Sequence, residues 1–392
     1  MQRGLSLGRL FGIEIRVDWS WLLIFFLIAW NLSVAFNQIY PDRGLGLAWG
    51  LAIVAALLFF ASVLAHEMAH SLMARQQDVQ VRSITLFLFG GVADIQREPP
   101  SPKAEFLITI VGPLVSIALG GALLIIANLI IAVVEPVNGT PALSDISPFA
   151  TLLVWLGSIN IVLAVFNMIP GFPLDGGRIL RSALWAITDN LRKATRWASW
   201  AGQTFAWLLI ISGVAMIFGI AVPVFGSGGI GGLWLIFIGW FLNSAAIQSY
   251  RRIVIQDLLS DVPVQQIMRS DPPTVPTGIT VQELVDNYMM RTDDHAFPVV
   301  DDAQLVGFVT LDDIRSVPRA DWSSRQVSDV MTRADDLETV SPDADSSDAM
   351  TRLMQRDVRQ LPVVEDGRRL TGVLRRADII KWLRLQSDLS FA

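Results

Sequence analysis

Long apolar runs alternate with short polar breaks through the first 250 or so positions, and then the chain changes character. Six runs stand out: Trp19 to about Phe36, Leu47 to Met73, Phe106 to Val134, Phe149 to Met168, Ala201 to about Val222, and Leu233 to Ile247. A helix needs about 20 apolar residues to cross a bilayer, with about 17 as a lower limit. The first five runs meet that length, and the sixth is short, so its ends are the least defined. The first run is long and no small-residue cleavage site follows it, so it reads as a retained span rather than a signal peptide. Pro41-Asp42-Arg43-Gly44 separates the first two runs with a turn.

Between the second and third runs, residues 75–103 have mixed polarity. Within them Ile84-Thr85-Leu86-Phe87-Leu88-Phe89 favours strand and stops at Gly90-Gly91. It is too short to span as a helix, so the expectation is a strand or re-entrant segment whose backbone finds partners in a protected cavity. Gly112-Pro113, near the start of the third run, predicts a kink or local unwinding. Pro170-Gly171-Phe172-Pro173-Leu174-Asp175-Gly176-Gly177 predicts irregular backbone, and residues 178–199 are basic and partly amphipathic. Residues 1–18 form a juxtamembrane arm, either with a short strand over Gly12 to Val17 or as a surface-lying anchor.

Past residue 255 the pattern becomes that of a soluble α/β domain, written twice. Val264-Gln265-Gln266-Ile267-Met268, Phe297-Pro298-Val299-Val300, Gly307-Phe308-Val309-Thr310 and Asp313-Ile314 recur as Val327-Ser328-Asp329-Val330-Met331, Leu361-Pro362-Val363-Val364, Gly372-Val373-Leu374-Arg375 and Asp378-Ile379. A unit of about 60 residues has a small core, so two copies packed face to face are expected. The fold class that follows is an α-helical polytopic membrane domain of about six transmembrane helices and a soluble α/β repeat pair. Its parts are the arm at 1–18, the membrane domain at 19–250, and repeats at 256–318 and 324–385.

Charge orients this arrangement. Residues 1–255 carry 15 Lys/Arg and 12 Asp/Glu, against 15 and 24 over residues 256–392. With the N-terminus inside, the segments 1–18, 75–103 and 176–197 hold twelve Lys/Arg, and the opposite segments 37–45, 135–149 and 223–230 hold one. That bias places the N-terminus and the acidic C-terminal domain in the cytoplasm of a multi-pass cell-membrane protein. There is no cysteine, which excludes disulfides and thiolate metal sites.

Chemistry concentrates in His66-Glu67-Met68-Ala69-His70. Imidazoles four apart share one helix face, and a glutamate between them can reach a water held there. The motif takes two of the three histidines in the chain and lies inside an apolar run, where ionisable groups are expensive. Two histidines do not complete a tetrahedral site. His295 lies in the soluble repeat and reads as an ordinary residue, so the third ligand must be a carboxylate. Asp175 is the candidate. It either completes the site or caps a helix starting near Arg178. Asn167 and Asn160 are candidate donors to an oxyanion, or amides that join helices. A peptide helix hides its carbonyls, so a substrate must unwind locally, and an edge such as 84–89 could take the unwound segment by strand addition.

These motifs resemble the site-2 protease family of zinc intramembrane metalloproteases, in the subgroup that carries CBS domains. The likeness rests on His66-Glu67-Met68-Ala69-His70, Phe89-Gly90-Gly91, and Asn167-Met168-Ile169-Pro170-Gly171-Phe172-Pro173-Leu174-Asp175-Gly176-Gly177, which matches N-x-x-P-x-x-P-x-D-G-G at every fixed position. The resemblance implies that His66, His70 and Asp175 bind one Zn2+ per chain and that Glu67 is the catalytic base. It implies substrates that are single-pass transmembrane proteins in the lipid bilayer, cut in regulated intramembrane proteolysis. No PDZ domain lies between the spans, unlike some relatives.

The repeats resemble a tandem CBS pair. That likeness implies an adenine nucleotide between them, with Thr310 and Asp313 in the first copy and Arg375 and Asp378 in the second as contacts; the alternative is a purely structural pair or one that forms a dimer. Arg375 stands where the family carries a hydroxyl. Direct nucleic-acid binding is not expected. The competing expectation is a CBS-regulated transporter or channel without proteolytic activity, since polar residues at membrane depth also line ion paths.

Overall fold

The computed structural model describes residues 4–390 apart from 96, 135–145, 224, 293 and 357. Arg3 and most of the polar loop that begins at Glu135, both used in the charge argument, lie outside the described residues. The chain divides into two compact units, Met1–Arg251 and Arg252–Ala392.

Long helices build the chain up to Leu259: α1 (Trp19–Ile39), α2 (Gly44–Gln76), α3 (Pro102–Val134), α4 (Pro148–Asn167), α5 (Asp175–Thr188), α6 (Leu191–Ile217) and α7 (Gly229–Leu259), the last running past the end of the first unit. Among the described residues six of these are long and apolar enough to cross a membrane, and α5 is the exception. Polar caps start several of them. Asp18 accepts from the Ser20 amide at 2.9 Å, Ser147 from Ala150 at 3.3 Å, and Asn190 from Lys193 at 2.7 Å. The α2 surface is sorted as lipid requires. Ala48, Ala52, Ala55 and Ala56 are buried, letting neighbouring backbones approach, while Ile53, Val54 and Leu57 face outward.

Three expectations need correction. α3 runs as unbroken helix through Gly112-Pro113, which overturns the local unwinding and leaves the kink as the alternative. The proline removes one backbone bond, and the many remaining bonds of a long apolar helix hold it together. α6 begins at Leu191 rather than Ala201, and α7 extends from Gly229 to Leu259 rather than Leu233 to Ile247. Polar turns that prolong a helix beyond its apolar stretch leave no mark in hydropathy. The third concerns the strand segment. β1 (Leu5–Leu10), β2 (Ile13–Val17), β3 (Val81–Phe87) and β4 (Gly90–Ile95) form one sheet in the order β1-β2-β3-β4. β3 pairs parallel with β2, Ile84 beside Ile15, and antiparallel with β4, Leu86 beside Gly91. Residues 84–87 therefore lie inside the sheet, and its edges are β1 and β4. Ile13, Ile15, Val81 and Ile84 bury one face of the sheet against Met68 and Ala74 of α2 and Ile108 of α3.

The second unit contains β5 (Val275–Pro276), α8 (Val281–Asn287), β6 (Ala296–Asp301), β7 (Gln304–Thr310), α9 (Leu311–Arg315), β8 (Thr332–Arg333), α10 (Ser346–Gln355), β9 (Gln360–Glu365), β10 (Arg369–Arg375) and α11 (Arg376–Ser390). Its sheet runs β5-β6-β7-β10-β9, with β8 on β7. The opening turn of each repeat packs into the other repeat's core. Val264 and Ile267 join Leu361, Val363, Leu374 and Ile379, whereas Val327 joins Phe297, Val299, Val309 and Ile314.

Candidate metal centre

α2 presents His66 and His70 from one face, one turn apart, and both are buried. α3 packs beside them and fixes the rings. His70 Nδ1 donates to the Ile108 carbonyl at 2.7 Å, which leaves Nε2 as the lone-pair nitrogen. His66 Nδ1 lies 2.9 Å from Ser116 Oγ. The carboxylate comes from α5. Asp175 Oδ2 is 3.1 Å from His66 Nε2 and 3.3 Å from His70 Nε2, and the two Nε2 atoms are 3.1 Å apart.

Asp175 is the first helical residue of α5, and Leu174 holds the cap position, so the helix-cap alternative does not describe it. The glycines after it are there for space. A Cβ on Gly176 or Gly177 would fall on the backbone of the 168–172 turn, so only glycine lets the first turn of α5 seat against that turn.

These atoms could hold a metal ion. Tetrahedral zinc with ligand bonds of about 2.0–2.1 Å sets its donors about 3.3 Å apart, close to the triangle found here. Two imidazoles and a carboxylate are zinc-type donors. Room for an ion is also built in. A Cβ on Gly112 of α3 would fall on the Nε2 atoms of both histidines, and one on Gly91 of β4 would fall on the Glu67 side chain.

Comparison with known proteins agrees with this chemistry. Residues 54–142 and 129–212 match the model of Peptidase family M50, and residues 264–319 and 327–385 match the CBS domain. A Synechocystis protein provisionally named zinc metalloprotease sll0528 is 36% identical over 98% of this chain and 96% of its own length. The chain belongs to peptidase family M50, the site-2 proteases, with an associated CBS pair. The Mycobacterium tuberculosis protein provisionally named zinc metalloprotease Rip3 is 33% identical over 97% of this chain and 93% of its own. The solved Site-2 Protease from Methanocaldococcus jannaschii aligns at 30% identity over 63% of this chain and 95% of that one, with a TM-score of 0.43. With its His/His/Asp cluster and six apolar helices, this M50 chain is a multi-pass zinc metalloendopeptidase regulated by CBS domains. The transporter reading is thereby set aside.

The other M50 candidates take different places. Asn160 is buried and donates to Ser62 Oγ at 3.2 Å and to the Leu156 carbonyl at 2.8 Å, so it joins α4 to α2. Asn167 is the last residue of α4 and half-buried. In the CBS pair, Thr310 and Asp313 cap α9 reciprocally, the Asp313 carboxylate accepting from the Thr310 amide at 2.8 Å and its hydroxyl at 2.7 Å. Arg375 instead donates twice to Asp378, at 2.8 Å each, and once to Asp294 at 2.8 Å. The Asp378 hydrogen bonds hold its guanidinium pKa above the usual arginine value. Arg269 also reaches Asp294, at 2.8 Å, beside a small cleft lined by Asp294, Gln360 and Arg375 among others. His295 is exposed and belongs to the second unit, whereas the metal cluster belongs to the first.

Sequence reasoning missed the residues that surround the cluster. Ile108 acts through its backbone and Ser116 is an unremarked residue in an apolar run, so neither carries a motif. Arg181 and Glu105 were detectable only as charges flanking apolar stretches. Their hydrogen bond, Nε to Oε1 at 2.6 Å, is buried.

Proposed function

We propose that this M50 protease cuts single-pass membrane proteins within or near their membrane segments, releasing a regulatory product inside the cell. The observation that carries the proposal is the triangle of His66 Nε2, His70 Nε2 and Asp175 Oδ2, beside Glu67 and beneath Gly112. In this reading His66, His70 and Asp175 would hold one zinc ion. Zinc there supplies Lewis acidity, lowering the pKa of a water and polarising the scissile carbonyl. The Glu67 carboxylate takes the proton from that water and hands it to the leaving amine nitrogen. The Asn167 amide donates to the carbonyl oxygen as it gains charge.

The substrate's carbonyls must first leave their helix. Of the two edge strands, β4 is the one whose Gly91 lies against Glu67, so strand addition is assigned to β4 and not to 84–89. Replacing helix-breaking residues of a substrate span by leucine should therefore slow its cleavage. Equal rates would remove the unwinding step.

The CBS pair tunes the reaction by binding an adenine nucleotide. Asp313, oriented by Thr310, takes the ribose hydroxyls in the first repeat. In the second, Arg375 reaches a phosphate only by leaving Asp294. The pair also forms a dimer contact, and both it and the N-terminus lie in the cytoplasm, as the twelve-to-one Lys/Arg bias supports.

The test is reconstitution of the purified protein in vesicles with single-pass substrates. Wild type should cleave, and Glu67→Gln should lose about 100-fold or more while keeping its metal. Cleavage by the variant at the wild-type rate would refute the role given to Glu67.

A further inference from the structure

A second buried charge cluster ties α5 to α3, the helices that carry Asp175 and Ile108. Arg181 of α5 donates from Nε to Glu105 Oε1 of α3 at 2.6 Å and from Nη2 to Glu98 Oε2 at 3.0 Å, and its Nη2 also contacts Glu105 Oε1. Glu105 is fully buried and Arg181 nearly so. The guanidinium carbon lies 5.3 Å from the centre of the Phe172 ring, in the turn that precedes Asp175. One side chain thus gathers α5, the turn before it, the start of α3 and the segment leaving β4.

The placement has a consequence for the ligands. Asp175 stands six residues before Arg181 on α5, about 9 Å along a helix. Glu105 stands three residues before Ile108 on α3, whose carbonyl orients His70. A closed circuit results: His70 to Ile108, along α3 to Glu105, across to Arg181, back along α5 to Asp175, and from Asp175 to both histidines. Without the Arg181 fork, the charged link between α3 and α5 at this level would be the longer Arg178 Nε to Glu105 Oε1 pair at 3.9 Å. A buried ion pair is a poor source of stability, because apolar residues of similar volume do as well or better. It fixes distance and rotation, which a metal site needs to within about 0.5 Å.

We propose that Arg181 is a positioning residue for the metal centre: clamped by Glu105 and Glu98, it sets α5 at the height and rotation that bring Asp175 onto His66 and His70. The proposal rests on the metal-site reading above and goes beyond it. Arginine is required because the planar fork serves two carboxylates at once, which an ammonium cannot reproduce.

Co(II) binding to the full-length protein in detergent micelles tests this, read by affinity and by the cobalt absorption spectrum, with thermal unfolding alongside. Arg181→Met should weaken Co(II) binding by about 10- to 100-fold, as loss of an outer-shell partner does, and change the spectrum. Arg181→Lys should recover part of the affinity. The double variant Glu105→Leu with Arg181→Met removes both charges and should unfold near the wild-type temperature, yet retain the weakened affinity and altered spectrum. If the double variant restores affinity and spectrum together with stability, the pair is structural only and the proposal falls. It falls equally if Arg181→Met binds Co(II) as wild type does. Wild-type protein that takes up no Co(II) would overturn the metal-site reading itself, a different result from either.

Discussion

Asp175 and Asp378 stand in similar places, in the first turn of a helix where an acidic group suits the backbone amides. Their partners differ. Asp378 is met by Arg375, three positions earlier, through two hydrogen bonds of 2.8 Å. Asp175 is met by imidazoles 105 and 109 positions away, and residue 172 before it is a phenylalanine. A carboxylate paired with its own neighbour is closed to outside ligands. One held against lone-pair nitrogens, with Gly112 leaving room above, is open to a cation. Asp313 is an intermediate case, since the Thr310 hydroxyl that orients it can turn to another acceptor. Chemical availability at a helix start is therefore set by the partner rather than by the acid.

The strongest way to break this comparison is Asp175→Ala. It should reduce metal affinity beyond the roughly 100-fold that an outer-shell loss produces, with metal content of the purified protein as the readout. Unchanged metal content would show that Asp175 is not held open for a cation. Gly112→Val tests the room above the ligands. Its side chain would overlap the two Nε2 atoms, so metal content should fall together with activity.

Arg375→Thr sharpens the other half. It converts the second repeat to the pattern of the first and frees Asp378, so calorimetry of the full-length protein with AMP or ATP should move from one nucleotide per chain toward two. No change in stoichiometry would mean that the Arg375–Asp378 pair does not close the cleft. The smallest effect belongs to Thr310→Val, which removes the α9 cap and should destabilise the C-terminal unit by about 1 kcal/mol in thermal unfolding.

How much could be read in advance varied with the residues. The six apolar helices, the shared face of His66 and His70, and the repeat with its 63- to 65-residue offset were all legible, because each is a pattern over neighbouring positions. Leu88-Phe89 form the turn to β4, and Ile84 to Phe87 was legible as strand but not as an interior one. Its partner β2 lies almost 70 positions earlier, and that parallel pairing turned the expected edge into the middle of the sheet. The full lengths of α6 and α7 were hidden because their polar ends do not register as apolar runs.

Residue spacing left Asp175 between a ligand and a cap, and only the packing of α5 against α2 and α3 separates the two. The same holds for the exchange of Val264 and Val327 between cores, and for Arg181 meeting Glu105. By itself the sequence determined which segments are helical or apolar, and that one helix offers two imidazoles with a glutamate between them. The tertiary structure decided which distant carboxylate meets those imidazoles, which strand is free at the edge, and which arginine keeps two helices in step. The reason is physical: helix and strand periods act over a few residues, whereas these contacts join positions 60 to 110 apart, where mutual packing alone sets distance and rotation.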